Sequence, residues 1–262
     1  MIFFLAFIAA VVAGAINSVA GGGTLLTYPT LFFAAGLPGK IANATNTMAL
    51  WPASLAGAWG FRHTVPATRK TVLVFGAVSA LGAITGAVLL KCTAESQFDA
   101  IVPWLILAAA LLFLLQEQIM RRAGLNAEAT DGAEPIRHEG FPLPALVFQF
   151  FVGVYGGYFG AGIGIIMLAA MTVMKVGGIY QMSFLKNLGA LCINGAATVL
   201  FGAWGIVDWR YALLMASGAL LGGYCGAGLA KKIGPRALRN AISAIGFIIA
   251  AVMIFRQFRT VY

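Results

Sequence analysis

Apolar residues along the chain fall into eight stretches that are separated by short polar segments. The stretches cover approximately residues 2–36, 42–61, 71–90, 98–116, 142–174, 179–204, 211–230 and 240–255. A helix needs ~20 apolar residues to span a lipid bilayer, and most of these stretches have about that length. The pattern therefore predicts an all-α polytopic membrane protein with about eight transmembrane segments.

The first and fifth stretches are longer than one crossing needs, and glycine interrupts both of them. Gly21-Gly22-Gly23 lies in the first, and Gly160-Ala161-Gly162-Ile163-Gly164 lies in the fifth. Glycine is a poor helix former, so these clusters predict glycine-broken helices. The alternative is close packing of helices through small residues, which suits the four-residue spacing of Gly82 and Gly86 better.

One long polar segment divides the chain into two halves. It covers about residues 117–140 and mixes acidic with basic side chains, which is typical of a solvated linker. We therefore predict a first transmembrane repeat at residues 1–116, a polar cytoplasmic linker at 117–140 and a second transmembrane repeat at 141–262.

Short motifs recur in the two halves in the same order and at nearly the same spacing. Gly57-Ala58-Trp59-Gly60 recurs as Gly202-Ala203-Trp204-Gly205. Asn46 recurs as Asn187, and each asparagine is followed three residues later by Ala-Leu. The order and spacing of these matches indicate an internal duplication.

Loops at equivalent places in the two halves carry opposite charge bias. Residues 62–70 carry basic side chains and no acid, whereas their partner loop at 206–210 has no net charge. Residues 231–239 are wholly basic in charge, whereas their partner loop at 91–99 also carries acids. Because basic loops stay in the cytoplasm, equivalent loops should lie on opposite sides, as in inverted repeats. Loops 62–70, 117–140 and 231–239 would then be cytoplasmic, with both chain ends outside.

Composition supports a membrane protein and excludes two other classes. Apolar residues make up 61% of the 262 residues, and charged residues only 10%, against about 25% in soluble domains. So few polar side chains cannot cover a soluble globule, and so much apolar surface excludes a disordered chain. Basic cytoplasmic loops and attraction of an anion explain the net charge of +9 better than nucleic-acid binding does. Arg256 and Arg259 oppose the predicted topology, because they would lie outside.

Side chains that catalyse reactions are missing from the apolar stretches. All eight acids and both histidines lie in loops or at the ends of predicted helices, and the three cysteines are far apart. Metal binding, acid–base hydrolysis and a buried proton relay all require such groups within the core. We therefore expect no enzyme activity and no metal or cofactor site.

Lys186 stands inside an apolar stretch, well away from a basic loop. A lysine at membrane depth costs at least ~2.5–3.5 kcal/mol unless it is paired or lines a wet cavity. No acid is near it in the sequence, so a bound anion would be its natural counterion. The alternative is that Lys186 lies near a membrane interface and extends its ammonium group to water.

Polar and glycine residues near the predicted breaks complete a candidate anion site. A broken helix exposes backbone N–H groups and the positive end of its dipole. Alternatives stay open: Asn43 is also a good helix cap, Asn46 and Asn187 would equally satisfy an opened backbone, and Trp51 would suit an interfacial belt. The candidate substrate-binding residues are Gly21, Gly22, Gly23, Thr24, Asn43, Asn46, Trp51, Gly160, Gly162, Ile163, Lys186 and Asn187.

Five motifs carry a family resemblance that covers nearly the whole chain. They are Asn17–Thr24, Ala42–Thr47 and Leu50–Gly57 in the first half, and Gly157–Gly162 and Leu185–Asn187 in the second. With these motifs the chain resembles the sulfite exporter TauE/SafE family. The resemblance implies a multi-pass carrier of the bacterial inner membrane for small sulfur-containing anions, such as sulfite, sulfoacetate or other organosulfonates. Proton linkage is a further expectation from the family.

The resemblance and the candidate site together predict a secondary transporter that works by alternating access. Its expected partners are a small anion and the lipid bilayer, with no nucleic acid, and homo-oligomerisation stays open. An anion channel and a carrier for small carboxylates remain alternatives, because backbone N–H groups and a lysine accept either anion.

Overall fold

The structure, a computed structural model, describes residues 1–19, 21–60, 69–122, 141–174, 179–233 and 235–261. All regular secondary structure in these residues is helical. The helices are α1 (Ile2–Val19), α2 (Thr24–Pro29, continued by a π-helical turn at Thr30–Ala34), α3 (Gly39–Gly60), α4 (Arg69–Cys92), α5 (Glu95–Arg122), α6 (Leu143–Tyr158), α7 (Ile163–Val173), α8 (Ile179–Ala203), α9 (Trp209–Ile233) and α10 (Pro235–Val261). The predicted all-α class is confirmed.

Several of these helices suit a bilayer by length and composition. Four are long and apolar enough to cross one, namely Arg69–Cys92, Glu95–Arg122, Gln181–Ala203 and Asn240–Gln257. Shorter apolar helices lie at Ile2–Asn17, Thr24–Ala34, Leu143–Tyr158 and Ile163–Val173. Large apolar side chains are exposed on the outer faces, including Leu73, Leu81, Trp104 and Leu213. Apolar surface of this extent marks contact with membrane, and the predicted polytopic membrane protein is confirmed.

Glycine breaks both overlong stretches at the predicted points. In stretch 2–36 the break precedes Thr24, where α2 begins. In stretch 142–174 it precedes Ile163, where α7 begins. Gly21 and Gly160 both have φ of 81°, and Gly162 has φ of 78°. This left-handed region favours glycine because a Cβ atom would clash there. The eight apolar stretches therefore form ten helices within the described residues.

Helices from the two halves pack in matched pairs. α1 packs on α9 as α6 packs on α4, and α3 packs on α9 as α8 packs on α4. Two further pairs, α3 with α8 and α5 with α10, join equivalent helices. If each of the first five helices is exchanged with its equivalent among the last five, the same set of packed pairs results. The two halves therefore interdigitate.

Close glycine contacts hold the α4–α6 pair together. The Phe75 and Phe141 rings meet near the starts of the two helices, 5.1 Å apart, so the helices run parallel. Further along, a Cβ atom on Gly86 would lie 2.0 Å from the carbonyl oxygen of Val154, and one on Gly82 would lie 2.3 Å from that of Phe150. The small-residue packing expected for Gly82 and Gly86 is confirmed.

The α3–α8 pair crosses antiparallel. Gly57 near the end of α3 lies against Asn187 in the first part of α8. Gly195, further along α8, lies against Trp51, which is earlier in α3. Each broken stretch also contacts the helix of this pair that belongs to the same half of the chain: α2 contacts α3, and α7 contacts α8. The crossing therefore adjoins both breaks.

The predicted linker falls largely outside the described residues. α5 continues through 117–122, so the first part of the predicted linker is helical. Residues 123–140 are not described, and neither are 61–68 of the first basic loop.

Candidate functional site

The two broken stretches meet at their glycines. A Cβ atom on Gly21 would lie 2.7 Å from the Cα atom of Gly164, so the two backbones are in direct contact. The breaks also share one local geometry. The N–H of Gly21 donates to the carbonyl oxygen of Ile16 at 3.3 Å, and the N–H of Gly160 donates to that of Tyr155 at 3.1 Å.

A cavity lies between the two breaks and the α3–α8 crossing. Seven of the predicted site residues line it: Gly21, Thr24, Asn46, Gly160, Ile163, Lys186 and Asn187. It leaves about 20 Å³ of room for the centres of water molecules, which is enough for one or two waters. An anion of four or more heavy atoms therefore needs the surrounding helices to move apart before it fits.

Lys186 places a cationic side chain at this cavity. The side chain is only 1% exposed, so it is enclosed by protein rather than extended to a membrane interface. Its Nζ donates to the carbonyl oxygen of Asn17 at 3.5 Å. That carbonyl lies in the last turn of α1, at the negative end of the helix dipole. None of the residues that line the cavity in the described part of the chain is acidic.

Asn46 is fixed to the first broken helix by two hydroxyl groups. Its Nδ2 donates to Oγ1 of Thr24 at 3.3 Å, and its Oδ1 accepts a hydrogen bond from Thr27. The Thr27 hydroxyl also lies 3.0 Å from the carbonyl oxygen of Gly23, at the start of α2. Asn46 therefore ties α3 to the break in the first half.

Asn187 is as deeply buried as Asn46 but is bonded differently. It is 2% exposed, and its Nδ2 has no hydrogen-bond partner in the structure. Its amide lies against Gly57, where a Cβ atom would approach the Asn187 Cγ to 2.8 Å. A buried amide without a partner costs free energy, and this one lines the cavity. It is therefore a hydrogen-bond donor that a ligand in the cavity can use.

Three of the predicted glycines lie outside the cavity lining. A Cβ atom on Gly22 would overlap the ring of Phe113, and one on Gly23 would lie 2.7 Å from the carbonyl oxygen of Ala13. Gly162 faces α5 instead. Gly22 and Gly23 therefore permit close packing around the first break, whereas Gly162 provides the left-handed backbone of the second.

Asn43 and Trp51 also lie outside the cavity lining. Nδ2 of Asn43 donates to the carbonyl oxygen of Tyr158 at 2.9 Å. The alternative that Asn43 caps α3 is wrong, because α3 begins at Gly39. Trp51 packs on Gly195, where a Cβ atom would lie 3.0 Å from the indole Nε1, and it is partly buried between the helices.

The cavity also contains seven residues that are outside the predicted set: Asn17, Thr47, Leu50, Phe159, Gly164, Ala190 and Asn194. Helical spacing was an available signal for three of them. Leu50 lies one turn after Asn46, and Ala190 and Asn194 follow Asn187 by one and two turns. The Asn194 side chain donates to Ser54 on α3 at 3.4 Å, across the crossing.

Metal binding finds no support in the described residues. No group of three or more histidine, cysteine, aspartate or glutamate side chains comes together there.

Known proteins similar to this chain are bacterial membrane transporters. A probable membrane transporter protein of Haemophilus influenzae is 27% identical over 94% of this chain and 92% of the relative. The probable membrane transporter protein ORF9 of a Sinorhizobium species is 29% identical over 93% of this chain and 89% of the relative. The probable membrane transporter protein YfcA of Escherichia coli K12 is 29% identical over 95% and 88%. No solved structure matches at a significant level.

A family model gives the broader assignment. The model described as sulfite exporter TauE/SafE matches residues 6–253. The match includes both glycine breaks, the α3–α8 crossing and Lys186. Because it extends over nearly the whole chain, the protein belongs to the sulfite exporter TauE/SafE family of membrane transporters.

Proposed function

We propose that the protein is a secondary transporter that carries small sulfur-containing oxyanions across the bacterial inner membrane. The candidate substrates are sulfite, sulfoacetate and other organosulfonates. The observation that carries this proposal is the position of Lys186, a buried cation in a cavity whose described lining has no acidic residue. Burying a cation inside a membrane protein is costly, and a bound anion reduces that cost.

A helix dipole and an amide donor complete the proposed site. α7 begins at Ile163 beside the cavity, so the positive end of its dipole favours an anion there. The N–H groups of Ile165 and Ile166 already donate to the carbonyl oxygen of Gly162. The directed donor is therefore Nδ2 of Asn187, which has no partner in the structure. Sulfonate and sulfite oxygens accept a hydrogen bond from this amide, which supports an oxyanion as the substrate.

Alternating access is the movement that we propose for transport. The matched helix pairs support two inverted repeats at residues 1–116 and 141–262, joined by a cytoplasmic linker at 117–140. In transporters with such repeats, one half rocks against the other around a central site. The small cavity agrees with a site that must open before an anion enters or leaves. The charge bias of the loops supports an arrangement with both chain ends outside.

The first test is transport by the purified protein in proteoliposomes. Lys186→Gln removes the buried charge, whereas Lys70→Gln removes an exposed lysine at the start of α4. We expect Lys186→Gln to lower kcat/KM for sulfite or methanesulfonate by at least about 30-fold, because loss of a buried charge partner costs about 2 kcal/mol or more. Lys70→Gln should stay within about two-fold of the unchanged protein. Equal kinetics in the two variants would contradict the proposed role of Lys186.

The same vesicles distinguish the alternative functions. A carrier exchanges labelled substrate against a saturating gradient of unlabelled substrate, whereas a channel gives no such counterflow. Acetate and other small carboxylates serve as competitors. If carboxylates compete and sulfur oxyanions do not, the proposed substrate class is wrong while the carrier mechanism stands.

A further inference from the structure

The two breaks share backbone hydrogen bonds but carry different side chains. Gly21 and Gly160 share one φ and one hydrogen-bond pattern. The following turns also match, because the N–H of Thr27 donates to the carbonyl oxygen of Gly23 as the N–H of Ile166 donates to that of Gly162. Thr27 is therefore equivalent to Ile166.

The same register makes Thr24 equivalent to Ile163. Each is the first residue of its helix, α2 or α7, and each lines the cavity. The first half therefore presents two hydroxyl groups after its break, where the second half presents two isoleucines.

This difference explains why the two equivalent amides are bonded differently. Asn46 donates from Nδ2 to the hydroxyl of Thr24. In the second half the residue equivalent to Thr24 is Ile163, which has no hydroxyl group, and Nδ2 of Asn187 has no partner. The donor of Asn187 that has no partner is therefore equivalent to the donor of Asn46 that is bonded to Thr24.

We propose that, of the two amides, only Asn187 binds the transported anion. Its Nδ2 stays free to bind the anion because Ile163 has no hydroxyl group that could accept its hydrogen bond. Asn46 is a positioning residue, since its amide is already occupied by the first broken helix. This inference rests on the proposed function, and it places the anion on the second-half side of the cavity.

A further observation places the anion on that side. Lys186 is adjacent to Asn187 in α8 and lines the same cavity. The positive charge and the unoccupied donor therefore both belong to the second half.

The test compares Ile163→Thr with Ile163→Val. Threonine and valine have nearly the same shape, and only threonine brings a hydroxyl to the position that is equivalent to Thr24. We expect that hydroxyl to accept the hydrogen bond from Asn187 and to compete with the anion. Relative to Ile163→Val, Ile163→Thr should raise KM about five-fold, the factor that one net hydrogen bond provides.

The stability of the protein without any anion gives an independent readout. The new bond should raise the unfolding midpoint of Ile163→Thr above that of Ile163→Val by about 2–4 °C. Thr24→Val should lower the midpoint by a similar amount, because it removes the hydroxyl that accepts the hydrogen bond from Nδ2 of Asn46. These midpoints do not depend on transport.

The two readouts separate failure of the inference from failure of the proposed function. If Ile163→Thr and Ile163→Val have the same midpoint and the same KM, Asn187 is not an available donor and the inference is overturned. It is also overturned if Asn46→Ala raises KM more than Asn187→Ala does. If the midpoints shift as expected but the unchanged protein transports no anion, the division between the amides stands and the proposed function fails.

Discussion

Asn43 on α3 donates a hydrogen bond of 2.9 Å to the carbonyl oxygen of Tyr158, the last residue of α6. The bond connects the first half of the chain to the break in the second half. The last carbonyl groups of a helix have no partners inside it, and this one is partly buried. An amide from the opposite half therefore satisfies the end of the broken helix.

Removal of this amide should destabilise the fold and alter the site. In Asn43→Ala the partly buried Tyr158 carbonyl loses its donor, which costs about 1 kcal/mol or more. We expect a fall of about 2–10 °C in the unfolding midpoint in detergent, and a lower maximal transport rate. Asn240→Ala, at an exposed position on α10, is the matched control and should leave both unchanged. A midpoint for Asn43→Ala equal to that of the control would show that the bond contributes no stability.

The close approach of α4 to α6 predicts a strong effect of a single methyl group. In Gly86→Ala the new Cβ atom would lie 2.0 Å from the Val154 carbonyl oxygen, so one helix must shift. Overpacking of this kind typically costs about 1–3 kcal/mol. Gly60→Ala is the control, because a Cβ atom there meets no atom within 4 Å. Thermal unfolding should separate the two variants clearly, and equal midpoints would contradict the tight α4–α6 contact.

Local sequence was sufficient for the helix breaks and for the buried cation. Gly21-Gly22-Gly23 and Gly160-Ala161-Gly162 predict breaks because glycine favours left-handed backbone that other residues avoid. Lys186 was identifiable because its insertion cost requires a specific environment. Both predictions depend only on the residues of one segment, and the structure confirms the breaks and the burial of Lys186.

Residues that depend on how segments pack were harder to predict. Gly22 and Gly23 belong to the predicted break but face Phe113 and Ala13. Which side of a broken segment faces the cavity is determined by the helices that pack around it. Helical spacing places Asn194 on the same face of α8 as Asn187, but that this face meets the cavity follows from the packing of α8 on α3.

The start of α3 shows the same limit of local sequence. Glu95, far away in the sequence, accepts a hydrogen bond from the backbone N–H of Lys40 at 2.9 Å. This bond supports a helix that begins at Gly39, earlier than Asn43 had suggested.

The charge of the cavity predicts a preference between anions. Lys186 contributes one positive charge, and the described lining contains no acid. A monoanion neutralises this charge, whereas a dianion leaves a net negative charge in a low-dielectric site, which is costly. Methanesulfonate should therefore compete with labelled substrate more strongly than sulfoacetate, which carries two charges at neutral pH. Ethanesulfonate controls for size, and equal competition by mono- and dianions of similar size would contradict this ranking.

Alanine substitution at the two equivalent asparagines should separate stability from affinity. Asn46→Ala leaves the buried hydroxyls of Thr24 and Thr27 without their amide partner, so we expect a loss of about 1–3 kcal/mol in the free energy of unfolding. Asn187→Ala removes a donor that has no partner in the structure, so the ligand-free protein should unfold at nearly the same temperature. The anion then loses one hydrogen bond to a charged group, worth about 1.5–3 kcal/mol, and KM should rise by at least about ten-fold. Thermal unfolding without ligand and saturation kinetics in proteoliposomes measure the two effects. A large fall in the unfolding midpoint of Asn187→Ala would show that this amide has a structural role, because a ligand-binding donor has no bond to lose in the ligand-free protein.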